Sequence, residues 1–326
     1  MRELLKGARI AVKTCMGVRL GESVLVVTDP PRLKIAEALI KAARAVGAEA
    51  TLICMQTLSR HGEEPPEVVA SAMRAADVVL APTTYSLTHT QARHQACRAG
   101  ARIATMPMIT EDMMRRGAML ANYREVDRWT KKVAAFLSRA SEVEVNSPAG
   151  TELSFSLKGR EAHSDTGIFH RPGDFGNLPA GEAFIAPIEG TAEGRVIVGG
   201  SMVGFPRETV EIIIKKGMAS KISGAHVAKL RKLLKEVGPK AYNLAELGVG
   251  TNPKARLIGN IIEDEKVLGA CHIALGDNST FGGKVRAGVH IDGIILRPTV
   301  KLDGKIIMKQ GRLLVCNPLV FIGRKN

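Results

Sequence analysis

The first half of the chain alternates short apolar runs with stretches of helical periodicity. "PRLKIAEALIKAARAVGAE", "PPEVVASAMRAA" and "THTQARHQACRAG" place apolar residues at helical spacing. Between them lie runs with the length and composition of buried strands: "SVLVVTD" (23–29), "ATLICM" (50–55), "DVVLAPT" (77–83) and "ARIATMP" (101–107). Strands that alternate with helices predict βαβ units, and therefore a parallel sheet with helices on both faces.

The pattern changes near residue 140. "REVDRWTKKVAAFLSRASE" (124–142) is amphipathic, whereas "EVEVNSPAGTELSFSLKG" (142–159) alternates with period two across a Pro-Ala-Gly turn. Glycines and short β-type runs follow, interrupted by one helix expected near 224–237. We predict an α/β chain with two domains: an N-terminal parallel-sheet αβα (Rossmann-like) domain over 1–140, and a C-terminal β-rich α+β metal-binding domain over 141–326.

The composition fits an ordinary globular protein, with 326 residues that are 45% hydrophobic and 24% charged. No apolar run approaches the roughly 18–20 residues of a membrane helix, and the N-terminus lacks the apolar stretch of a secretory signal. The five cysteines are scattered without a CxxC pair, which argues against disulfides and cysteine zinc sites. We therefore expect a cytoplasmic protein with no membrane association.

The net charge of +14 permits a nucleic-acid partner. However, lysines and arginines are spread along the chain, and aromatic residues make up only 4% of it, which leaves few platforms for stacking bases. We predict no specific nucleic-acid binding. The first strand is followed by "TDPPRLK" rather than GxGxxG, and no Walker-type loop occurs, so the sequence disfavours a nucleotide cofactor.

The second half contains residues that commonly bind metals, each beside glycine or at the end of an apolar run. In "GVHIDG", His290 and Asp292 are two residues apart, so a strand would direct both to one face and Ile291 to the other. Imidazole mixed with carboxylate ligands suits Zn, Mn, Co or Fe(II). The other candidates are Glu182 in "NLPAGEAFIAP", Glu246 in "YNLAELGVGTNP" and His272 in "GACHIALGDN".

Each candidate also has a simpler interpretation. Taken alone, Glu182 and Glu246 would be expected at the surface, and His272 would be a core histidine bonded to backbone. His163, Asp165 and His170 lie just upstream of Glu182, where they either contribute to a site or form a long loop.

The motifs "LPAGEAFIAP", "LAELGVGTNP", "DEKVLGACHIALGDN" and "HID" together resemble those of the aminopeptidase T/aminopeptidase S metallopeptidases. The resemblance covers nearly all of the C-terminal half. It implies two adjacent divalent ions, Zn, Co or Mn, with Glu246 as the bridging and catalytic residue. It also implies Glu265, although "DEK" replaces the family's "DEN" and lies two residues farther from His272. The implied ligands are Glu182, Glu246, Glu265, His272, His290 and Asp292.

The chain departs from the aminopeptidase pattern in a second place. Those enzymes usually carry a tyrosine shortly after the "HIALG" segment, whereas this chain has Asp277, Asn278 and Ser279. The same scaffold resembles the 2,5-dihydroxypyridine dioxygenases, whose single Fe(II) is held by two histidines and an aspartate. Their set matches His272, His290 and Asp292, and leaves open positions for substrate and O2.

Three functional hypotheses follow from these motifs. The leading one is an aminopeptidase-like hydrolase that removes N-terminal amino acids from peptides with metal-activated water. The first alternative is a ring-cleaving Fe(II) dioxygenase, and the second is a non-catalytic binding protein on the same fold. The expected partners are a small peptide or small-molecule substrate and a second copy of the chain, because the aminopeptidases resembled here form homodimers.

Overall fold

The computed structural model describes residues 2–202, 209–225 and 227–315. Helices α1 to α8 span Leu4–Arg9, Leu33–Arg44, Glu67–Ala75, Gln91–Arg98, Glu111–Arg115, Tyr123–Arg139, Ala228–Val237 and Ile261–Asp264. Strands β1 to β18 span Ser23–Thr28, Glu49–Cys54, Val78–Thr83, Arg102–Pro107, Glu142–Asn146, Glu152–Ser156, His163–Asp165, Phe175–Asn177, Glu182–Ile185, Glu193–Val198, Val210–Lys215, Met218–Ser223, Leu244–Gly250, Cys271–Gly276, His290–Ile295, Thr299–Leu302, Lys305–Lys309 and Arg312–Leu313. A π-helical segment spans Ile10–Cys15, and 3-10 turns span Pro30–Arg32, Ala118–Leu120 and Pro239–Tyr242.

The chain forms two compact units, and neither is continuous along the sequence. The first contains the residues up to Asp127 together with Asp165–Ala180, and the second contains Arg128–Ser164 together with the residues from Gly181 onward. The later segment joins the first unit because β8 pairs in parallel with β4, with Phe175 opposite Ile103. The domain division at residue 140 stays a prediction, since these units divide the chain within α6 and again around β8.

The first unit is built on a parallel sheet with strand order β2-β1-β3-β4-β8. β3 and β4 are buried along their whole length, and β1 is buried from Val24 to Thr28, which explains their continuous apolar runs. Helix α2 buries Ile35, Leu39 and Ala43 on one face. The βαβ pattern read from the sequence therefore produces the parallel sheet that it predicts.

The second unit contains two sheets with antiparallel pairing, one of eight strands and one of five. Their order is β12-β11-β10-β6-β5-β16-β17-β18 in the larger sheet and β15-β14-β13-β9-β7 in the smaller. One apolar core includes Val143 and Ile212 from the larger sheet and Leu247, Ile273 and Ile291 from the smaller. The core thus uses one face of the five-stranded sheet, and alternation leaves the opposite face to other side chains.

The mixed α/β fold, with a parallel sheet followed by antiparallel sheets, is confirmed. The helix expected near 224–237 begins at Ala228, and His226 of that range lies outside the described residues. Among the described residues, no helix combines the length and the apolar character that crossing a bilayer requires.

Candidate metal centre

The candidate ligands of β13, β14 and β15 occupy the face of the five-stranded sheet that is turned away from the core. Leu247, Ile273 and Ile291 belong to the core, so the residues that alternate with them along each strand face the other way. Glu246, His272, His290 and Asp292 are those alternating residues. The same alternation that builds the core therefore gathers the polar side chains.

Small residues separate these polar side chains across the strands. Ala274 of β14 is in register with both Glu246 and Asp292, so only a methyl group stands between the two carboxylate positions. Gly248 is the register partner of His272, and Gly276 is the partner of His290. Bulkier residues at these positions would fill the space into which the imidazoles and carboxylates converge.

Both imidazoles meet the carboxylate of Glu246. Nε2 of His272 lies 3.1 Å from Glu246 Oε1, and Nε2 of His290 lies 3.3 Å from Glu246 Oε2. Nε2 of His290 is also 3.1 Å from Asp292 Oδ1. The Glu246, His290 and Asp292 donors form one group of mutually close ligand atoms, while Glu182, Glu265 and His272 form a second.

The backbone fixes the orientation of His290. Nδ1 of His290 donates to the carbonyl oxygen of Asp277 at 2.8 Å, since a carbonyl can only accept, and this leaves Nε2 directed at the carboxylates. The Asp277 side chain in turn accepts hydrogen bonds from Ser279 and from the Ala287 amide, and Asn278 Oδ1 accepts from the Val285 amide. The residues found where a tyrosine was expected thus build the loop that orients a histidine.

The second ligand group contains a lysine. Nζ of Lys266 lies 2.5 Å from Glu182 Oε1 and 2.9 Å from Glu265 Oε1. Lys266 is fully buried, and both glutamates are about nine-tenths buried. An ammonium group therefore stands between two carboxylates that the sequence suggested as metal ligands.

The electrostatics of the centre follow from burial and close charge pairs. Burial opposes ionisation of Glu246, but hydrogen bonds from His272 and His290 lower its pKa to about 2. Burial likewise opposes a charged His272, yet the carboxylates of Glu246, Glu182 and Asp292 raise its pKa to about 9. Against burial, Asp292 and Glu246 also raise the pKa of His290 well above its usual value. The centre attracts positive charge strongly.

Burial dominates at Glu265, where it raises the pKa to about 8 although Lys266 acts in the opposite direction. The nearby carboxylates of Glu182 and Asp292 add to this increase. Glu265 therefore differs from Glu246, whose carboxylate two imidazoles keep ionised.

The residues fit a bound divalent cation. Nε2 of His272 lies within a cluster of carboxylate oxygens, 3.1 Å from Glu246 Oε1 and 3.5 Å from Glu182 Oε2. Ligand atoms that share one cation at about 2.1 Å are roughly 3 Å apart when they lie at right angles, which resembles the 3.1 and 3.3 Å contacts described above. Two imidazoles with carboxylates suit a transition metal.

Aromatic rings lie beside His290. Phe281 is 5.8 Å from the His290 ring and 5.5 Å from Phe184, edge to face in both cases. His163 stacks on Phe184 at 5.4 Å with an interplanar angle of 18°. Since Phe184 follows Glu182 by two residues on β9, both residues belong to the same face of that strand.

The structure corrects several interpretations of single residues. Glu182 and Glu246 are only 7% and 5% exposed, so the surface positions expected for each alone are wrong. Of the residues upstream of Glu182, His163 lies beside the aromatic rings, whereas Asp165 and His170 belong to the first unit. Sequence reasoning missed Lys266, Phe184 and Phe281. The replacement of "DEN" by "DEK" was the available signal for Lys266.

The fold and the donor set define a class, metal-dependent enzymes with a β-rich metal-binding half. The chain matches the NicX family, 2,5-dihydroxypyridine 5,6-dioxygenase, over residues 4–315 and belongs to that family. A 2,5-dihydroxypyridine 5,6-dioxygenase of Pseudomonas putida KT2440 is 27% identical over 256 residues, which are 74% of this chain and 71% of the relative.

Two solved structures share the fold. The 2,5-dihydroxypyridine dioxygenase from Pseudomonas putida KT2440 superposes with a TM-score of 0.80 at 23% identity, covering 95% of this chain and 96% of the other. AmpT from Thermus thermophilus superposes with a TM-score of 0.72 at 18% identity, covering 96% and 99%. The shared scaffold inferred from the motifs is therefore confirmed for both proteins.

The leading functional hypothesis is wrong. The family and the curated relative are dioxygenases, so the chain is not assigned as an aminopeptidase, protease or other hydrolase. The prediction of an enzyme is confirmed, which leaves no support for the non-catalytic binding protein. A physical difference accompanies the correction, because Lys266 lies between two carboxylates that the aminopeptidase resemblance implies as metal ligands.

Replacing Gly248 by alanine tests how the sheet accommodates His272. A Cβ at residue 248 would lie 2.0 Å from Cε1 and 2.1 Å from Nε2 of His272, so the ring must move. We expect G248A to lose at least about tenfold in affinity for Co(II), as for displaced ligand support in general, measured by calorimetric titration of the metal-stripped protein.

The control for this variant is G199A, in which the new Cβ meets the Leu296 side chain at an ordinary 3.4 Å. G199A should bind Co(II) like the wild type. Equal Co(II) affinity of G248A and wild type would show that His272 does not contribute to the metal position.

Metal affinity should depend on pH in a defined direction. The pKa of His272, about 9 without metal, means that its ring is protonated at neutral pH and must release the proton when a metal binds. Apparent Co(II) affinity should therefore rise from pH 6 to about 9, and titrations in buffers of different ionisation enthalpy should detect proton release. A flat profile over this range would contradict the electrostatics described here.

Proposed function

We propose that this enzyme cleaves the ring of a hydroxylated pyridine between carbons 5 and 6, using O2 and one Fe(II) ion. Membership of the dioxygenase family gives the reaction class, and the relative of Pseudomonas putida carries the substrate in its name. The observation that carries the proposal is the convergence of His272, His290 and Asp292 around Glu246 on one sheet face.

His272, His290 and Asp292 are the proposed Fe(II) ligands. Two histidines and one carboxylate form a facial set, and Fe(II) held in this way offers open positions for substrate and O2 together with one-electron chemistry. The Asp277 carbonyl prepares this arrangement, because it fixes the proton of His290 on Nδ1. Zn, Co and Mn would be bound by the same donors, but Zn has no redox chemistry.

Glu246 keeps its proposed catalytic role, now as a proton acceptor for the substrate. A ring hydroxyl binds a cation more strongly once it has lost its proton, and Glu246 lies next to both imidazole Nε2 atoms. Hydrogen bonds from these rings hold its pKa down in the metal-free centre. With a metal held by the imidazoles, the Glu246 carboxylate would stand beside the bound substrate and could accept the proton that a ring hydroxyl releases.

The aromatic residues support a flat substrate. Phe281 and Phe184 meet edge to face, and Phe281 also meets the ring of His290. Such rings attract a planar heteroaromatic through offset or edge-to-face contacts. We propose that they hold the pyridine ring on the side of the centre next to His290, which would place its hydroxyl groups toward Glu246.

The partner is thus a small molecule rather than a peptide. The homodimer and the cytoplasmic location stay predictions. Glu182 and Glu265 bind Lys266 rather than the iron, because the lysine occupies the space between these two carboxylates.

Oxygen consumption tests the proposed function. Protein reconstituted anaerobically with Fe(II) should consume O2 and 2,5-dihydroxypyridine in equal amounts, and the Zn(II) form should not. H290A and D292A should lose at least about 100-fold in rate, as expected when a metal ligand is removed. E246Q should retain iron but lose turnover, since its amide cannot accept the substrate proton.

The matched control for E246Q is E236Q. Glu236 lies on α7 with a 61% exposed side chain near Lys232, so its loss should leave turnover unchanged. Absence of Fe(II)-dependent O2 uptake with dihydroxypyridines, in protein that retains iron, would refute the proposed reaction.

A further inference from the structure

Lys266 is a buried cation within the polar cluster of the five-stranded sheet. Its Nζ lies 2.5 Å from Glu182 and 2.9 Å from Glu265, and its side chain is only 1% exposed. Buried lysines are rare unless they are paired, because an isolated ammonium loses its hydration without compensation. Here the carboxyl oxygens of Glu182 and Glu265 replace part of that hydration. The pair formed by Glu182 and Glu265 thus already has a cation.

Lys266 lies in a turn that is hydrogen-bonded to neighbouring backbone. The Asn252 amide donates to the Lys266 carbonyl at 2.8 Å, and the Lys266 amide donates to the Glu263 carbonyl at 3.1 Å. Gly250 of β13 allows the close approach, since a Cβ there would lie 2.1 Å from the Val267 carbonyl oxygen. The turn is therefore attached directly to the strand that carries Glu246.

We infer that Lys266 acts as a built-in substitute for a second metal ion and restricts this centre to a single divalent cation. The inference rests on the proposed single-iron function and gives its structural cause. Glu182, Glu265 and His272 bring ligand atoms within 4.8 Å of one another, which is a geometry that could hold a metal. The amino group of Lys266 occupies the metal position by contacting two of these three residues, Glu182 and Glu265.

A metal ion and the lysine cannot both use these oxygens. A divalent transition metal binds carboxylate oxygens at roughly 2.0–2.2 Å, so an ion between Glu182 and Glu265 would displace the Nζ atom. The displaced ammonium would then be buried without its partners and beside a divalent cation, which is strongly unfavourable. His272 therefore remains available to the group formed by Glu246, His290 and Asp292. Its Nε2 atom lies 3.1 Å from Oε1 of Glu246.

The test counts metal ions in protein without substrate. Metal-stripped wild type, K266M and K266A are dialysed against excess Co(II) or Zn(II), and bound metal is measured per chain. We expect about one ion in the wild type and about two in both variants. Without the ammonium group, Glu182, Glu265 and His272 can hold one ion while Glu246, His290 and Asp292 hold the other. The methionine side chain would fill most of the space of the buried lysine side chain, whereas alanine would leave that space open. If K266M folds only with Co(II) present, metal is counted in that cobalt-folded protein.

K254M is the matched control. Lys254 is an exposed residue two positions after Asn252, which contacts the Lys266 backbone, so removal of its charge should leave the count at one per chain. A wild type that already holds two ions, or folded Lys266 variants that hold no more than the wild type, would overturn the inference. Wild type that binds one ion but cleaves no ring would instead refute the proposed function and leave the inference standing.

Discussion

The centre depends on the neutralisation of buried negative charge. Glu182, Glu246, Glu265 and Asp292 approach one another on one side of a five-stranded sheet, and three of these carboxylates are no more than 7% exposed. Carboxylates removed from water require cations or protons. Lys266 provides one cation to Glu182 and Glu265. His272 and His290 provide protons or metal-binding nitrogens to the remaining pair, so the division of roles follows from where each positive group stands.

The sheet makes this arrangement possible through its period of two. Leu247, Ile273 and Ile291 bury one face in the core of the second unit, and their neighbours along the strands converge on the other. Ala274 and Gly248 leave room there for the larger side chains of adjacent strands. Stability and chemistry therefore depend on the same register. A slip by one residue would turn the charged groups into the apolar core and the core residues toward the polar cluster.

Local patterns in the sequence predicted those features that depend on residues close together in the chain. Helical spacing and apolar runs predicted the parallel sheet, and the alternation in "HID" placed His290 and Asp292 side by side. Features that depend on distant residues were not visible. The pairing of β8 with β4 joins segments about 70 residues apart. The direction of Lys266 depends on a turn fixed by Asn252. The aminopeptidase hypothesis failed because the shared motifs specify a scaffold, and one lysine within them changes which cations it can hold.

The position of the metal is the central claim, and anomalous diffraction from iron-loaded crystals tests it most directly. The account predicts one iron peak per chain, bonded to His272, His290 and Asp292, with the Lys266 amino group still between Glu182 and Glu265. A peak between those two glutamates, or a second peak in the same chain, would contradict it.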